Sequence, residues 1–315
     1  MLPISKQRVI QCIKQKDKQE IKIQSILETI PYFDLYFYTF FSYDDVKLGI
    51  MESEDDDNDN NDKIEEITTQ NQLVSLKYKY IPKCSFDDYM MDKYTFLIDN
   101  PDDVNKKSIK HLFDIHAHLV RATNKLIPYH IIHFDINNNN IIISQEVPLI
   151  KPSNKCLYLL DYDFEKNYKS LFNQYPHHKP LEMHVIYYLM ERTQPSISVS
   201  NIYELCHEYE TQYKDIVEEG IQSGIDFLKT FSNLPKVHII EELLKYSSTW
   251  NQYFVSLFIL RVIKEKHYST TNNFVLKWKE WLHASANIDP RKRVSTVDQL
   301  DEIMFTADVK DLLSA

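Results

Sequence analysis

One stretch limits what this chain can be: Ile131-Ile132-His133-Phe134-Asp135-Ile136-Asn137-Asn138-Asn139-Asn140-Ile141-Ile142-Ile143. An apolar approach runs into His-x-Asp, four residues follow, and an Asn then opens a β-branched run. A second apolar run ends in an acid, Leu159-Leu160-Asp161-Tyr162-Asp163. One carboxylate is thus placed to orient an attacking hydroxyl. An Asn and a second Asp can hold Mg²⁺ against phosphates, which is what phosphoryl transfer asks of a protein. The runs predict strands, with Ile141–Ser144 and Cys156–Leu160 as a hairpin that returns Asp161 to Asn140.

The tandem resembles the protein-kinase superfamily, whose catalytic loop reads His-Arg-Asp-x-x-x-x-Asn and whose metal loop reads Asp-Phe-Gly. The resemblance implies an α+β, two-lobed fold with a small sheet lobe and a mainly helical lobe. It makes Asp135 the catalytic carboxylate, and Asn140 and Asp161 the metal ligands and further catalytic groups. Three departures stand out. Phe134 replaces the Arg that receives activation-segment phosphate, so activity is expected to be independent of such phosphorylation. Asn137 stands where protein kinases carry a Lys, and Asp163 replaces the metal-loop Gly. The wording Asp161-Tyr162-Asp163-Phe164, with Lys179-Pro180-Leu181-Glu182-Met183-His184-Val185-Ile186 further on, is most similar to divergent serine/threonine kinases of large DNA viruses.

Upstream, residues 8–14 alternate as a strand, with Cys12 and Lys14 on one face. Ile23, Ile26, Leu27 and Ile30 fall at helical spacing, with Glu20 one turn earlier. By resemblance Lys14 would hold the nucleotide phosphates and Glu20 would pair with it. Pro31 ends the helix, and the aromatic stretch 32–43 reads as strand-like. Residues 73–78 form a further strand. Tyr78, Tyr80 and Ile81 would then meet adenine at the junction between lobes. That divides the chain into 1–80, a reduced small lobe carrying an acidic low-complexity loop near 51–64, and 81–315, a helical lobe.

Downstream, Ile109, Leu112, Phe113, His116, Leu119 and Val120 keep one helical face. Glu182 fits two roles. It can pair with a late Arg, or it can brace the backbone of the 133–140 loop. Asn287-Ile288-Asp289-Pro290-Arg291-Lys292-Arg293-Val294-Ser295 resembles the closing Asp-Pro-x-x-Arg-x-Ser/Thr turn of protein kinases, with Arg293 as anchor and Ser295 as the cap of a last helix.

Composition enters where it excludes something. At 315 residues with 43% hydrophobic content, the chain can bury a substantial core. A net charge of −10 disfavours a nucleic-acid backbone as partner. Four scattered cysteines make neither a zinc site nor a disulfide framework and fit a reducing compartment. No membrane span or signal peptide is expected, which points to the cytoplasm, or to a host cytoplasm or virion for a viral protein. Only three glycines are present, and no Gly-rich phosphate loop is among them.

Taken together, these features point to a serine/threonine protein kinase that uses ATP and Mg²⁺ on a protein substrate. Two alternatives stay open: a small-molecule phosphotransferase of aminoglycoside- or choline-kinase type, and a pseudokinase that serves as a binding scaffold.

Overall fold

A computed structural model describes residues 9–14, 18–46, 73–78, 84–95, 101–152, 156–161, 172, 179–213, 221–265, 273–294 and 297–304. The acidic run at 52–62, Tyr80, Ile81 and Ser295 lie outside them, as do the side chains of Lys14, Glu20, Tyr78 and Asp161.

The first part is a three-stranded antiparallel sheet: β1 (Val9–Lys14), β2 (Phe40–Val46) and β3 (Leu73–Tyr78), in the order β1-β3-β2. Between β1 and β2 lies α1 (Lys18–Leu27), whose Ile23 and Leu27 are buried as their spacing predicts. The aromatic stretch after it is not a continuous strand. Tyr32 adopts a left-handed φ of 58°, Phe33–Leu35 make a 3-10 turn, and only at Phe40 does extended pairing begin. Phe37 instead meets Ile150, with Tyr38 N–H donating to Ile150 O and Ile150 N–H to Tyr36 O, both at 2.9 Å.

The chain then enters a mainly helical body. Short β4 (Cys84–Ser85) leads into α2 (Phe86–Thr95), and α3 (Pro101–Asn124) opens on the Pro that a first helical turn tolerates. The expected apolar face of α3 is buried in full, His116 included. Three short pairings follow: β5 (Ile131–His133) with β8 (Cys156–Tyr158), and β6 (Ile141–Ser144) with both β4 and β7 (Val147–Ile150).

The β6–β7 hairpin corrects the sequence reading, which paired 141–144 with 156–160. Its two-residue turn, Gln145-Glu146, has φ of 50° and 66°, the doubly left-handed geometry that closes tight hairpins. That turn ordinarily announces itself through Asn-Gly or Asp-Gly. Here neither residue gives the signal, and Pro148 argues against a strand. β7 tolerates Pro148 because it is the edge strand of the β4-β6-β7 sheet, where only the isolated Phe37–Ile150 bridge lies on its outer side.

Helices complete the body: α4 (Leu181–Glu191), α5 (Val199–Tyr213), α6 (Gln222–Lys229), α7 (Lys236–Leu244), α8 (Trp250–Glu265), α9 (Asn273–Ser285) and α10 (Val297–Met304). Helix α8 is the hub, since 13 of its 16 residues are buried, and a helix apolar all round must be enclosed on every side. It packs on α3, α9 and β5. Trp278 and Trp281 of α9 close over α3, where Trp278 Nε1–H donates to His116 Nδ1 at 3.0 Å. An Arg121–Asp301 ion pair at 2.6 Å ties α10 to α3.

Candidate functional site

The loop 133–140 is built from its own polar side chains. Asn137 Nδ2 donates to Asp135 Oδ1 at 2.6 Å, and its Oδ1 accepts Asn139 N–H at 2.9 Å, an Asx turn. Asn140 Nδ2 donates to Asp135 Oδ2 at 2.7 Å and to Asp135 O at 3.0 Å. Asn138 Nδ2 reaches Asp87 Oδ1 on α2 at 2.8 Å. The asparagine run is therefore a set of distinct fasteners. Asn137 is spent on loop shape, at the position where the resemblance places a phosphate-directed Lys.

His133 fixes the loop from below. Its Nε2–H donates to Lys151 O at 3.0 Å, and its Nδ1 accepts Asp135 N–H at 3.3 Å. A carbonyl can only accept and an amide N–H can only donate, so these partners set a neutral Nε2–H tautomer. Phe134 turns inward, edge-on to Phe254 of α8 with ring centroids 5.5 Å apart.

Sequence reasoning missed the main brace, Asn251. It is buried on α8, where its Oδ1 accepts His133 N–H and its Nδ2 donates to Ile131 O, both at 2.8 Å. One carboxamide thus satisfies the edge of β5 that β8 leaves unpaired. An Asn amid Trp250, Gln252 and Tyr253 was the available signal: a polar residue in an otherwise buried stretch needs a partner.

Glu182 takes the first of its two expected roles. Arg293 Nη1 and Nη2 donate to Glu182 Oε1 and Oε2, both at 2.7 Å, with both side chains fully buried. Arg293 also donates to Asn287 O at 2.8 Å and Thr249 Oγ1 at 3.0 Å, and Trp250 Nε1–H to Glu182 Oε1 at 3.1 Å. Nearby, Asp289 caps the Pro290–Lys292 turn by accepting Arg291 N–H at 3.1 Å. Gly224 of α6 packs here against Leu181 and Ile288, where an added Cβ would approach Leu181 Cδ2 to 2.9 Å.

The backbone of Asp161 follows the end of the β5–β8 ladder away from this loop, while its side chain lies outside the described set and its role as a metal ligand remains an expectation. In the antiparallel β5–β8 ladder, Ile131 faces Tyr158 and His133 faces Cys156, and Leu159 N–H donates to His130 O at 3.0 Å. Asp135 therefore leaves the ladder at one end and Asp161 at the other. Leu160 instead borders a separate cleft of about 470 Å³, shared with Lys22, Tyr129, His130 and Tyr158.

The residue set beside Asn140 is Lys151. The β6–β7 register pairs Ile141 with Ile150, and Lys151 N–H donates to Asn140 O at 2.8 Å, extending the pairing by one step. Asn140 turns its Nδ2 toward Asp135, which leaves its Oδ1 as an acceptor. Among the described residues no three His, Cys, Asp or Glu converge as metal ligands. Of the other expected residues, Lys14 ends β1, Glu20 sits in the first turn of α1, and Tyr78 ends β3. Their side chains, and Tyr80 and Ile81, fall outside the described set, so the Lys14–Glu20 pair and the adenine contacts remain expectations.

No protein-family model matches the sequence, and no curated protein matches it. Among solved structures, the chain is similar to the Mycobacterium tuberculosis PknI kinase domain (9% identity, TM-score 0.43, 94% of this chain and 84% of that one). It is also similar to the autoinhibited serine kinase domain of the giant muscle protein titin (14% identity, TM-score 0.42, 94% of this chain and 70% of that one). Likenesses this distant carry no argument about activity, and the geometry of the loop has to carry it.

Proposed function

We propose that this chain is a kinase-like domain of pseudokinase type: a nucleotide-binding module in which the Asp135–Asn140 loop is kept and the metal-binding half of the site is lost. Support for the kinase-like reading comes from the order of parts. A small antiparallel sheet with one helix precedes a His-x-Asp-x-x-x-x-Asn loop on a helical body, and a buried Glu182–Arg293 pair locks the later segment. The sheet part and the helical part divide near residue 80. One observation carries the loss of the metal site: the hairpin after Asn140 delivers Lys151, while Asp161 emerges at the far end of the β5–β8 ladder.

The test is incubation of the purified chain with labelled ATP and Mg²⁺, alone and with generic protein acceptors and small alcohols and amines. The reading expects no transfer above that of an Asp135→Ala variant. Mg²⁺-dependent transfer abolished by Asp135→Ala would overturn it.

The second reading is an active phosphotransferase, a serine/threonine protein kinase using ATP and Mg²⁺ on a protein hydroxyl. What favours it is the intact Asp135 carboxylate, half-exposed and oriented by Asn137 and Asn140 as a base near an acceptor hydroxyl would need to be. Transfer to proteins but not to small alcohols or amines would select it over a small-molecule kinase.

A further inference from the structure

We infer that the surface where the α4–α5 and α6–α7 connections meet is a docking site for a partner protein, and that its occupant is a short peptide segment whose aliphatic or aromatic side chains are bracketed by carboxylates. The inference is independent of nucleotide binding. Helices α5 and α6 pack on each other, and backbone bonds lace the two connections together. Asn233, at a left-handed φ of 63°, donates its N–H to Ile197 O at 3.0 Å, and Lys236 N–H donates to Pro195 O at 2.7 Å. Lys236 Nζ crosses the same seam to Arg192 O at 3.3 Å. One continuous surface results.

Apolar side chains lie open on it. Val237, at the start of α7, is 66% exposed, while Val199 and Tyr203, one turn apart on α5, are 43% and 38% exposed. Apolar side chains exposed singly are ordinary, but these three come from two elements that the seam joins. Three cations flank them. Lys229 Nζ stands 5.0 Å from the Tyr203 ring centre, Arg192 Cζ stands 5.4 Å from that of Tyr188, and Lys236 precedes Val237. Among the described residues, none of the three forms an ion pair with a carboxylate. Asp226, one turn before Lys229 on α6, accepts from Gln222 Nε2 at 2.7 Å.

Charge decides the occupant. The chain carries 46 acidic residues against 36 basic ones, yet neither 192–203 nor 229–238 contains a carboxylate. A local positive surface of this kind draws an anionic group at short range. The net charge of −10 repels an extended polyanion, whether nucleic acid or an anionic membrane, at longer range. A peptide with few carboxylates escapes most of that repulsion. Its acids meet the three cations at the rim and its apolar side chains cover Val199, Tyr203 and Val237, the polar-rim and apolar-centre arrangement of protein interfaces.

The experiment selects phage-displayed random heptapeptides on the full chain and, in parallel, on an Arg192→Glu/Lys229→Glu variant. Both of these side chains are exposed, and thermal melts confirm that the variant is folded. Peptides enriched on the unaltered chain should carry Asp or Glu on both sides of a Leu, Ile, Val or Phe. Fluorescence anisotropy of the tightest of them should show binding about tenfold or more weaker to the charge-reversed variant, and about threefold or more weaker to Val199→Ser/Val237→Ser. Affinity should also fall as salt is raised. The inference is overturned if no peptide is enriched over the charge-reversed variant, if the enriched peptides lack carboxylates, or if either variant binds like the unaltered chain. Tighter binding of heparin or of phosphatidylserine vesicles than of the peptide would overturn it too, by assigning the surface to a polyanion.

Discussion

Removing one member of the Glu182–Arg293 pair should cost far more than removing both. The pair is bidentate at 2.7 Å and both side chains are fully buried. Glu182→Met leaves a buried guanidinium whose remaining acceptors are the neutral Asn287 O and Thr249 Oγ1, and it orphans the Trp250 N–H. Arg293→Met leaves a buried carboxylate with the Trp250 N–H as its remaining donor among these bonds. Breaking a buried pair from one side costs about 3–5 kcal/mol, because an uncompensated charge stays behind. The double variant removes both charges and substitutes apolar volume, so its cost should fall to about 1–3 kcal/mol, set by the neutral groups left unbonded. Urea unfolding reads this directly, since Trp250, Trp278 and Trp281 are all buried and report by fluorescence. Single variants costing under about 1 kcal/mol, or a double variant costing the sum of the two, would refute the reasoning.

Asn251→Leu should destabilise by about 2–4 kcal/mol in the same urea assay, because His133 N–H and Ile131 O both lose their partner in the interior. A loss under about 0.5 kcal/mol would mean that the β5 edge finds other partners. Acid should unfold the chain through His116 and His184, each held down to about 3 by burial, with the Lys179 charge adding to the second. Their unfolded pKa is 6.5, so between these values the unfolded chain binds protons that the folded chain refuses. This contribution is complete above pH 6.5 and drains as pH falls toward 3, by up to about 1.4 kcal/mol per pH unit for each histidine. His184→Gln, which keeps a hydrogen-bonding group near Tyr213, should halve that slope, and an unchanged slope would remove His184 from the account. Asp161→Ala should leave ATP affinity within about twofold of wild type, and a loss of tenfold or more would restore Asp161 to the site.

Periodicity carried most of the fold. The stripe of α3 and the apolar spacing of α1 are dictated by side chains that water expels to one face. The Asp135–Asn140 contact was equally legible, because five residues of chain cannot carry the two far apart. Partners separated by long stretches were legible only as alternatives. Glu182 and Arg293 lie 111 residues apart, and nothing local distinguishes an acid that meets an Arg from one that braces a loop. The misreading of the hairpin has a specific cause. Leu157-Tyr158-Leu159-Leu160-Asp161 is more strand-like in composition than Val147-Pro148-Leu149-Ile150, and a Gln-Glu turn carries no hairpin signal. The stronger apolar run was therefore paired with β6, although it pairs with β5. The bond from Lys151 N–H to Asn140 O was not legible because it comes from register, which a one-residue change in turn length reverses.

Crystals of the full chain soaked with ATP and Mn²⁺, measured for anomalous scattering, would examine the ligand beside Asn140 directly. The account predicts bound nucleotide and no anomalous peak within coordination distance of Asn140 Oδ1. A manganese peak bridging Asn140 and a carboxylate of this chain would contradict it.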